Sequence, residues 1–351
     1  MGKFAVFSGF LGAGKTTTMM ALTDWINAHG GKAAMISNDL GGPGLADNRF
    51  ALLSGCKASE LTEECICYQR PQLLERVRSL WAEGCELVVS DIPGFGIRAL
   101  DHVYHGLTKD YPGAVPLAPF TVLTEPDTVE FLRSGADEDL KYLMNAQLLE
   151  ADLIVLNKCD GLDAARREAD AAELRARYPE AEVLCISART GEGLDALARA
   201  LREGSASMRK PDIGYGGRAC ASAMKRISEY YIQYRAVVCC NDFDGTAYLT
   251  ALAERVRDDV ASAGCEIPHL KLLAWTPEGD YGKVDLLGIG KPIEETRPFR
   301  APCVDIAVIL NASAACPHKT LDAIVTGAAE EVSKAFQLEM TVFKKEHFGM
   351  G

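Results

Sequence analysis

The sequence predicts an α/β fold: a doubly wound, mainly parallel sheet followed by a smaller α+β domain. Three observations carry this. Short, nearly all-apolar runs alternate with longer amphipathic ones through the first two hundred residues, as buried parallel strands alternate with the helices that cover them. The composition is that of an ordinary globular chain, 48% hydrophobic and 25% charged over 351 residues, enough for a sizeable core and about two domains. A stretch rich in Gly, Ser and Pro, Gly204–Arg218, then interrupts the alternation before a second pattern begins. The expected divisions are a first domain at residues 1–204, a linker at 205–218 and a second domain at 219–351.

In the first domain, strands are expected at Lys3–Ser8, Ala33–Asn38, Glu86–Asp91, Ala118–Leu123, Asp152–Asn157 and Glu182–Ser187. Helices are expected at Thr16–Ala28, Pro71–Ala82, Leu140–Glu150, Ala164–Tyr178 and Leu194–Glu203. Such a sheet binds ligands at the carboxyl ends of its strands. The second domain opens with a strand at Ser228–Cys240. A helix at Thr246–Ala263 follows, with Leu249, Leu252, Val256 and Val260 at helical spacing. Strands come next at His269–Trp275, Lys283–Ile289 and Cys303–Asn311. A helix at Leu321–Phe336 carries Ile324, Val325, Ala328 and Val332, and a strand at Glu339–Lys345 closes the chain. With Lys283–Ile289 counted as an extra strand, the order is roughly β-α-β-β-α-β, that of a small ferredoxin-like module.

Charge and cysteine usage narrow the function. A net charge of −12 disfavours nucleic acid and anionic membrane, both of which want a basic face, and neither is an expected partner. No signal peptide fits the N-terminus and no uncharged run approaches membrane-helix length, so a cytoplasmic location is expected. The 12 cysteines are thinly spread over a long chain and read as reduced thiols rather than a disulfide framework. Cys85, Cys159, Cys185 and Cys303 sit in or beside apolar strands and read as core. Cys239 and Cys240, neighbours in a strand, would face opposite sides.

The chemistry begins at Gly9-Phe10-Leu11-Gly12-Ala13-Gly14-Lys15-Thr16, a full match to G-x-x-x-x-G-K-[ST] between an expected strand and an expected helix. Here glycines let the backbone curl so that successive N–H groups face phosphate, and the helix adds its positive end. Gly12, Ala13, Gly14, Lys15, Thr16 and Thr17 form the phosphate-contacting stretch; Lys15 reaches the β- and γ-phosphates and the Thr16 hydroxyl ligates Mg²⁺. The first domain is therefore a P-loop NTPase. Asp91 ends an apolar strand and is followed by Gly94, the D-x-x-G arrangement in which the acid holds Mg²⁺ and the glycine senses the γ-phosphate. Asp39 has two readings: it holds the Mg²⁺ shell or orients the attacking water, or it is a turn or helix-cap acid. Asn157-Lys158-Cys159-Asp160 follows another apolar strand. Asp160 can accept from N1–H and the exocyclic amine of guanine, which adenine cannot offer. Asn157 supports the loop, and Ser187-Ala188 matches a loop whose backbone meets guanine O6. These point to GTP rather than ATP.

On these residues the first domain resembles the CobW/UreG/HypB/MeaB metallochaperone GTPases of the SIMIBI class, closest to the CobW branch. GFLGAGKTTT, Asn38-Asp39-Leu40-Gly41, Asp47, Cys65-Ile66-Cys67 and Ala151–Lys158 carry the likeness, over roughly residues 3–203. The CobW branch has a C-x-C-C motif where this chain reads Glu64-Cys65-Ile66-Cys67-Tyr68, so two of three thiols match and Tyr68 replaces the third. The resemblance implies a GTP-hydrolysing metallochaperone or activator of a cofactor enzyme. GTP or GDP and Mg²⁺ would bind at the P-loop, with Lys15, Asp39 and Asp91 serving hydrolysis. Zn²⁺, Co²⁺ or Ni²⁺ would bind at Cys65 and Cys67, and the partner would be a client metalloenzyme or corrinoid protein. Two thiolates are incomplete for tetrahedral zinc; the rest would come from Cys56, Glu63, Glu64, a second subunit or the client. Packing is the other reading of this pair. Two alternatives stay open: a GTP-driven protein chaperone that carries no metal itself, and a metabolic kinase, against which the guanine residues argue. No arginine finger is assignable, so turnover should be slow until a partner or homodimer completes the site. Cys316-Pro317-His318 reads as a helix start, and His102 and His105 lie in a candidate switch segment.

Overall fold

The apolar runs become strands buried on both faces. The computed structural model describes residues 2–38, 46–61, 65–135, 137–214, 218, 221–222, 227–288 and 290–348. In it β1 (Lys3–Ser8), β2 (Ala33–Asn38), β4 (Leu87–Asp91), β5 (Thr121–Thr124) and β6 (Leu153–Leu156) have almost no exposed residue, because helices cover the sheet above and below. With β3 (Ala58–Leu61) and β7 (Glu182–Cys185) they form a seven-stranded sheet in the order β3-β2-β4-β1-β5-β6-β7, each neighbouring pair parallel. Register sets Phe7 beside Asp91, so the strand feeding the phosphate loop and the strand ending in the acid finish side by side.

The expected helices form as α1 (Lys15–Ala28), α3 (Arg70–Ala82), α6 (Glu138–Glu150), α7 (Ala164–Arg177) and α8 (Leu194–Glu203). The Asp137 and Asp163 carboxylates cap α6 and α7 by accepting from the N–H groups of Leu140 and Arg166. Unforeseen elements are α2 (Ala46–Leu53), β3, a π-helix at Leu100–His105 that runs into α4 (Gly106–Asp110), and α5 (Pro126–Ser134). The strand expected at Ala118–Leu123 begins later, at Thr121, because Pro119 has no N–H for the ladder.

The chain divides into two compact units, Met1–Pro43 with Gly55–Ala223, and Gly44–Ser54 with Met224–Gly351. In the first, Gly204–Gly214 is tied down along the surface. Ser207 N–H and Arg209 bond Asp152, and the Gly214 carbonyl accepts from Arg98 at 3.0 Å. The second unit is a six-stranded antiparallel sheet in the order β11-β10-β9-β12-β8-β13. Its strands are β8 (Ser228–Val238), β9 (Glu266–Trp275), β10 (Tyr281–Leu286), β11 (Ile293–Arg297), β12 (Asp305–Ala315) and β13 (Leu338–Phe348). Within it β13-β8-β12-β9 follows the ferredoxin-like order, and the β10–β11 hairpin widens it. Helices α9 (Gly245–Ser262) and α10 (His318–Ala335) bury Leu249, Leu252, Val256, Val260, Leu321 and Val325 completely on one face. Ile324 is only partly buried, and Leu321 takes the place expected of it. On the other face Phe50 and Leu53 of α2 pack with Tyr231, Leu273 and Ile309. No helix of the described residues is long and apolar enough to cross a membrane.

Candidate functional site

The phosphate loop takes the curled form its glycines permit. Gly12 and Gly14 have φ of 83° and 87°, a region costly for any residue with a Cβ. The Lys15 ammonium lies back over the loop, donating to the carbonyls of Gly9 at 2.8 Å and Phe10 at 3.1 Å. Ala13 is buried, Thr16 is half-buried at the first turn of α1, and Thr17 is exposed beside it. The hydroxyls of Ser8, Thr18, Ser90 and Thr124 are buried with no partner among the described residues. They lie at the carboxyl ends of β1, β4 and β5 and on the first turn of α1, a polar interior that suits a nucleotide phosphate and its Mg²⁺.

Asp91 is 7% exposed and its Oδ1 accepts the Asn38 N–H at 3.0 Å. The following turn is pressed onto the phosphate loop. A Cβ on Gly94 would stand 2.6 Å from Leu11 Cδ2 and 3.0 Å from Leu11 N, and Phe95 meets Phe10 edge-to-face at 5.5 Å. From behind, the Gln147 amide of α6 donates to the carbonyls of both Gly94 and Gly96 at 2.9 Å. Asp39 lies outside the described residues, as do Leu40, Gly41, Glu63 and Glu64. Asp47 falls in α2, whose bounds are described while that side chain is not.

The residues expected to face the base lie close together. Asn157 bridges two loops: its Nδ2 donates to Ala13 O at 3.1 Å and its Oδ1 accepts Ala188 N–H at 3.0 Å. That bond engages the N–H assigned to guanine O6, so Ala188 reaches a base only by sharing it. Asp160 accepts from Ser187 Oγ at 2.8 Å and pairs with the exposed Arg189. Burial works to raise its carboxyl, but the Ser187 hydroxyl, its own backbone N–H and Arg189 together hold it below the usual range. Lys158, at a left-handed φ of 62°, pairs with Glu125 at the end of β5.

The thiol loop is fastened to the same frame. Asn38 Oδ1 accepts the Ile66 N–H at 2.9 Å, so one asparagine joins Asp91 to the peptide between Cys65 and Cys67. Arg70 fixes the far side, donating to Cys67 O at 2.6 Å and His102 O at 3.3 Å and pairing with Asp110 at 2.8 Å. The Cys67 N–H donates to Cys65 Sγ at 3.4 Å. The neighbouring Cys67 holds Cys65 below the ordinary thiol range, while Cys65 and burial push Cys67 far above it and the Asp91 carboxylate opposes ionisation of Cys65. Among the described residues no group of three or more His, Cys, Asp or Glu side chains forms a metal site. Cys56 precedes β3 and bonds Thr23 at 3.2 Å, whereas Cys65 lies past the other end of that strand, which removes Cys56 from the ligand set.

Cys159 is fully buried in the core, its thiol donating to Leu156 O at 3.2 Å, and Cys185 packs against the same core, its thiol drawn down to about 7 by the neighbouring Cys159. Other expectations shift. Cys239 and Cys240 lie past the end of β8 and are both exposed. His105 bonds the Arg209 carbonyl at 3.1 Å, a structural role. Sequence reasoning missed Gln147, Glu125 and the double role of Asn38. Only Glu125 had a signal, as the first polar residue past the carboxyl end of an apolar strand.

The family model described as "CobW/HypB/UreG, nucleotide-binding domain" matches residues 3–184. Two relatives, each named "Zinc chaperone CobW", are similar. That of Sinorhizobium sp is 32% identical over 231 residues, 58% of this chain and 63% of its own; that of Pseudomonas aeruginosa is 28% identical over 214 residues, 53% and 56%. The chain thus spans less than two thirds of these curated relatives. The crystal structure of Zn(II)-bound YjiA GTPase from E. coli aligns over 93% of this chain and 98% of its own, at 15% identity and a TM-score of 0.39. Since the family model covers just over half of its length, the chain belongs to the CobW/HypB/UreG family.

Proposed function

We propose that the protein binds and hydrolyses GTP and uses nucleotide state to control a metal held at Cys65 and Cys67 for delivery to a client enzyme. The observation that carries the coupling is Asn38, bonded at once to the Asp91 carboxylate and to the Ile66 N–H of the thiol loop. In this reading Gly12, Ala13, Gly14, Lys15, Thr16 and Thr17 bind phosphate, and Gly94 meets the γ-phosphate. Thr16, Asp91 and Asp39 would hold Mg²⁺, which when bound neutralises charge developing on the phosphates. Lys15, Asp39 and Asp91 serve the hydrolytic step. Asn157, Lys158, Asp160, Ser187 and Ala188 select guanine. Movement of Asp91 on hydrolysis would be felt at Ile66 through one residue, by way of the Asn38 backbone N–H and side-chain Oδ1, a short route for the order–disorder coupling that nucleotide switches use. By linkage the cargo must alter GTP affinity in return. Cargo zinc is favoured by the names of the two relatives.

The thiol pair suits a site that must release its metal. Cys65 is held below the ordinary thiol range and accepts the Cys67 N–H at 3.4 Å, so a soft cation would displace its proton, with further ligands from Glu63, Glu64, a second subunit or the client. Anaerobic titration of Zn²⁺, Ni²⁺ and Co²⁺ with and without a non-hydrolysable GTP analogue tests this, repeated on Cys65→Ser/Cys67→Ser. Metal binding that needs both thiols and changes with nucleotide is the expected result. The absence of metal binding that depends on both the thiols and nucleotide would leave a GTP-driven chaperone that carries no metal itself, the reading favoured by Tyr68 where the family carries its third cysteine.

A further inference from the structure

We infer that Gln147 is a positioning residue for the γ-phosphate side of the nucleotide site, holding the Gly94 turn in the form that distinguishes GTP from GDP. The inference deepens the proposed function and rests on its placing GTP at the P-loop. Gln147 is 1% exposed, and its Nε2 donates to two carbonyls, Gly94 O and Gly96 O, each at 2.9 Å. A primary amide has two N–H donors, and both are used on this one turn. The turn is closed internally by Gly96 N–H to Pro93 O at 2.8 Å. On its front face Gly94 is pressed against Leu11 of the phosphate loop, first its side chain and then its backbone nitrogen.

Glycine has more backbone freedom to lose than any other residue, so a turn with two glycines in four positions is ordered only by what grips it. Here the grip comes from Leu11 in front and Gln147 behind. Fixing the Gly94 and Gly96 carbonyls fixes the Gly94–Phe95 and Gly96–Ile97 peptide planes, and the Gly96 N–H bond to Pro93 O ties to them the Pro93–Gly94 plane that carries the Gly94 N–H. The α- and β-phosphates are cradled by the loop itself and do not need this turn. Gln147 therefore acts on the γ-phosphate alone.

The side chain's chemistry is specific. Glutamate keeps at most one donor when protonated and sets its charge against two carbonyl oxygens when ionised; methionine fills the volume without a donor. Affinities of the full-length protein for a fluorescent GDP and a fluorescent non-hydrolysable GTP analogue, both with Mg²⁺, test the assignment in Gln147→Glu and Gln147→Met. We expect GDP affinity to stay within about twofold and GTP-analogue affinity to fall about tenfold, the size of one or two net hydrogen bonds. The ratio of the two is the readout, because loosened packing lowers both together. Equal losses for the two nucleotides, or no change in either, overturn the positioning role. Methionine preserves bulk, so the comparison survives should the glutamate variant not fold. A wild-type protein whose GTP-analogue affinity is unaffected by Lys15→Ala would instead overturn the nucleotide reading itself.

Discussion

Replacing Glu150 by Gln should flatten the pH dependence of the first unit's stability between pH about 4.5 and 7. Glu150 ends α6 at 2% exposure, where its Oε1 accepts the Leu100 N–H at 3.1 Å and so caps the π-helix. Its Oε2 has no partner among the described residues. Burial lifts the carboxyl to about 7 against the pull of the Leu100, Ala99 and Arg98 N–H groups, and Asp101 adds to the rise. The other titrating neighbour is Cys67, itself pushed upward in part by Glu150. Folding thus favours the protonated acid. The stabilisation is complete below pH about 4.5 and is lost as pH rises through about 7. The shift corresponds to about 3 kcal/mol. Gln carries no charge to desolvate, so the variant should gain on the wild type by about that amount between pH 4.5 and 8. Urea unfolding of both proteins across this range, taken as a difference, cancels groups common to both, such as Cys185. A difference that does not move with pH, or a variant that loses ground at pH 8, would refute the reasoning. The second result would mean that the three N–H groups fully stabilise the carboxylate.

Three further predictions rest on single contacts. Asp160→Asn should lower GTP affinity about tenfold to a hundredfold, by loss of a charge-assisted pair, and favour xanthine nucleotides; an unshifted base preference in competition binding would remove Asp160 from the base site. Tyr104→Phe should destabilise the first unit by about 1–3 kcal/mol in urea melts, because the buried Val6 N–H donates to that hydroxyl at 3.0 Å and would be stranded. Cys185 should alkylate with an apparent pKa near 7, and Cys159→Ala should raise it toward the ordinary thiol value. Rates followed by peptide mapping from pH 6 to 9 check this, and equal pH profiles in both proteins would count against the thiol pair.

Legibility in the sequence followed the range of the interactions. The strands of the first unit were readable because parallel strands covered on both faces must be apolar throughout, as in LVVSD and LIVL. Helix α9 was readable from four leucines and valines at helical spacing. Elements whose partners are distant left no such mark. β3 is the four residues ASEL, paired with β2 and with Leu61 alone placed in the core. α2 is eight residues whose Phe50 and Leu53 find their apolar neighbours more than 170 positions away in the chain. The π-helix has no spacing signature of its own, and a carboxylate 50 residues distant caps it.

The sequence by itself determined the phosphate loop, the D-x-x-G and N-K-x-D strings and the two-thiol loop, since each works through consecutive residues whose spacing is the chemistry. It also determined the two sheet types, because burial on two faces or one writes itself into the apolar pattern. Only the tertiary structure decided what joins these parts. Asn38 binding both Asp91 and Ile66, Asn157 bridging two loops, and Gln147 gripping the Gly94 turn are all hydrogen bonds between groups 28 to 144 residues apart. A polar side chain does not announce its partner in the local sequence; the fold supplies that partner by bringing distant strand ends and one buried helix face to the same place.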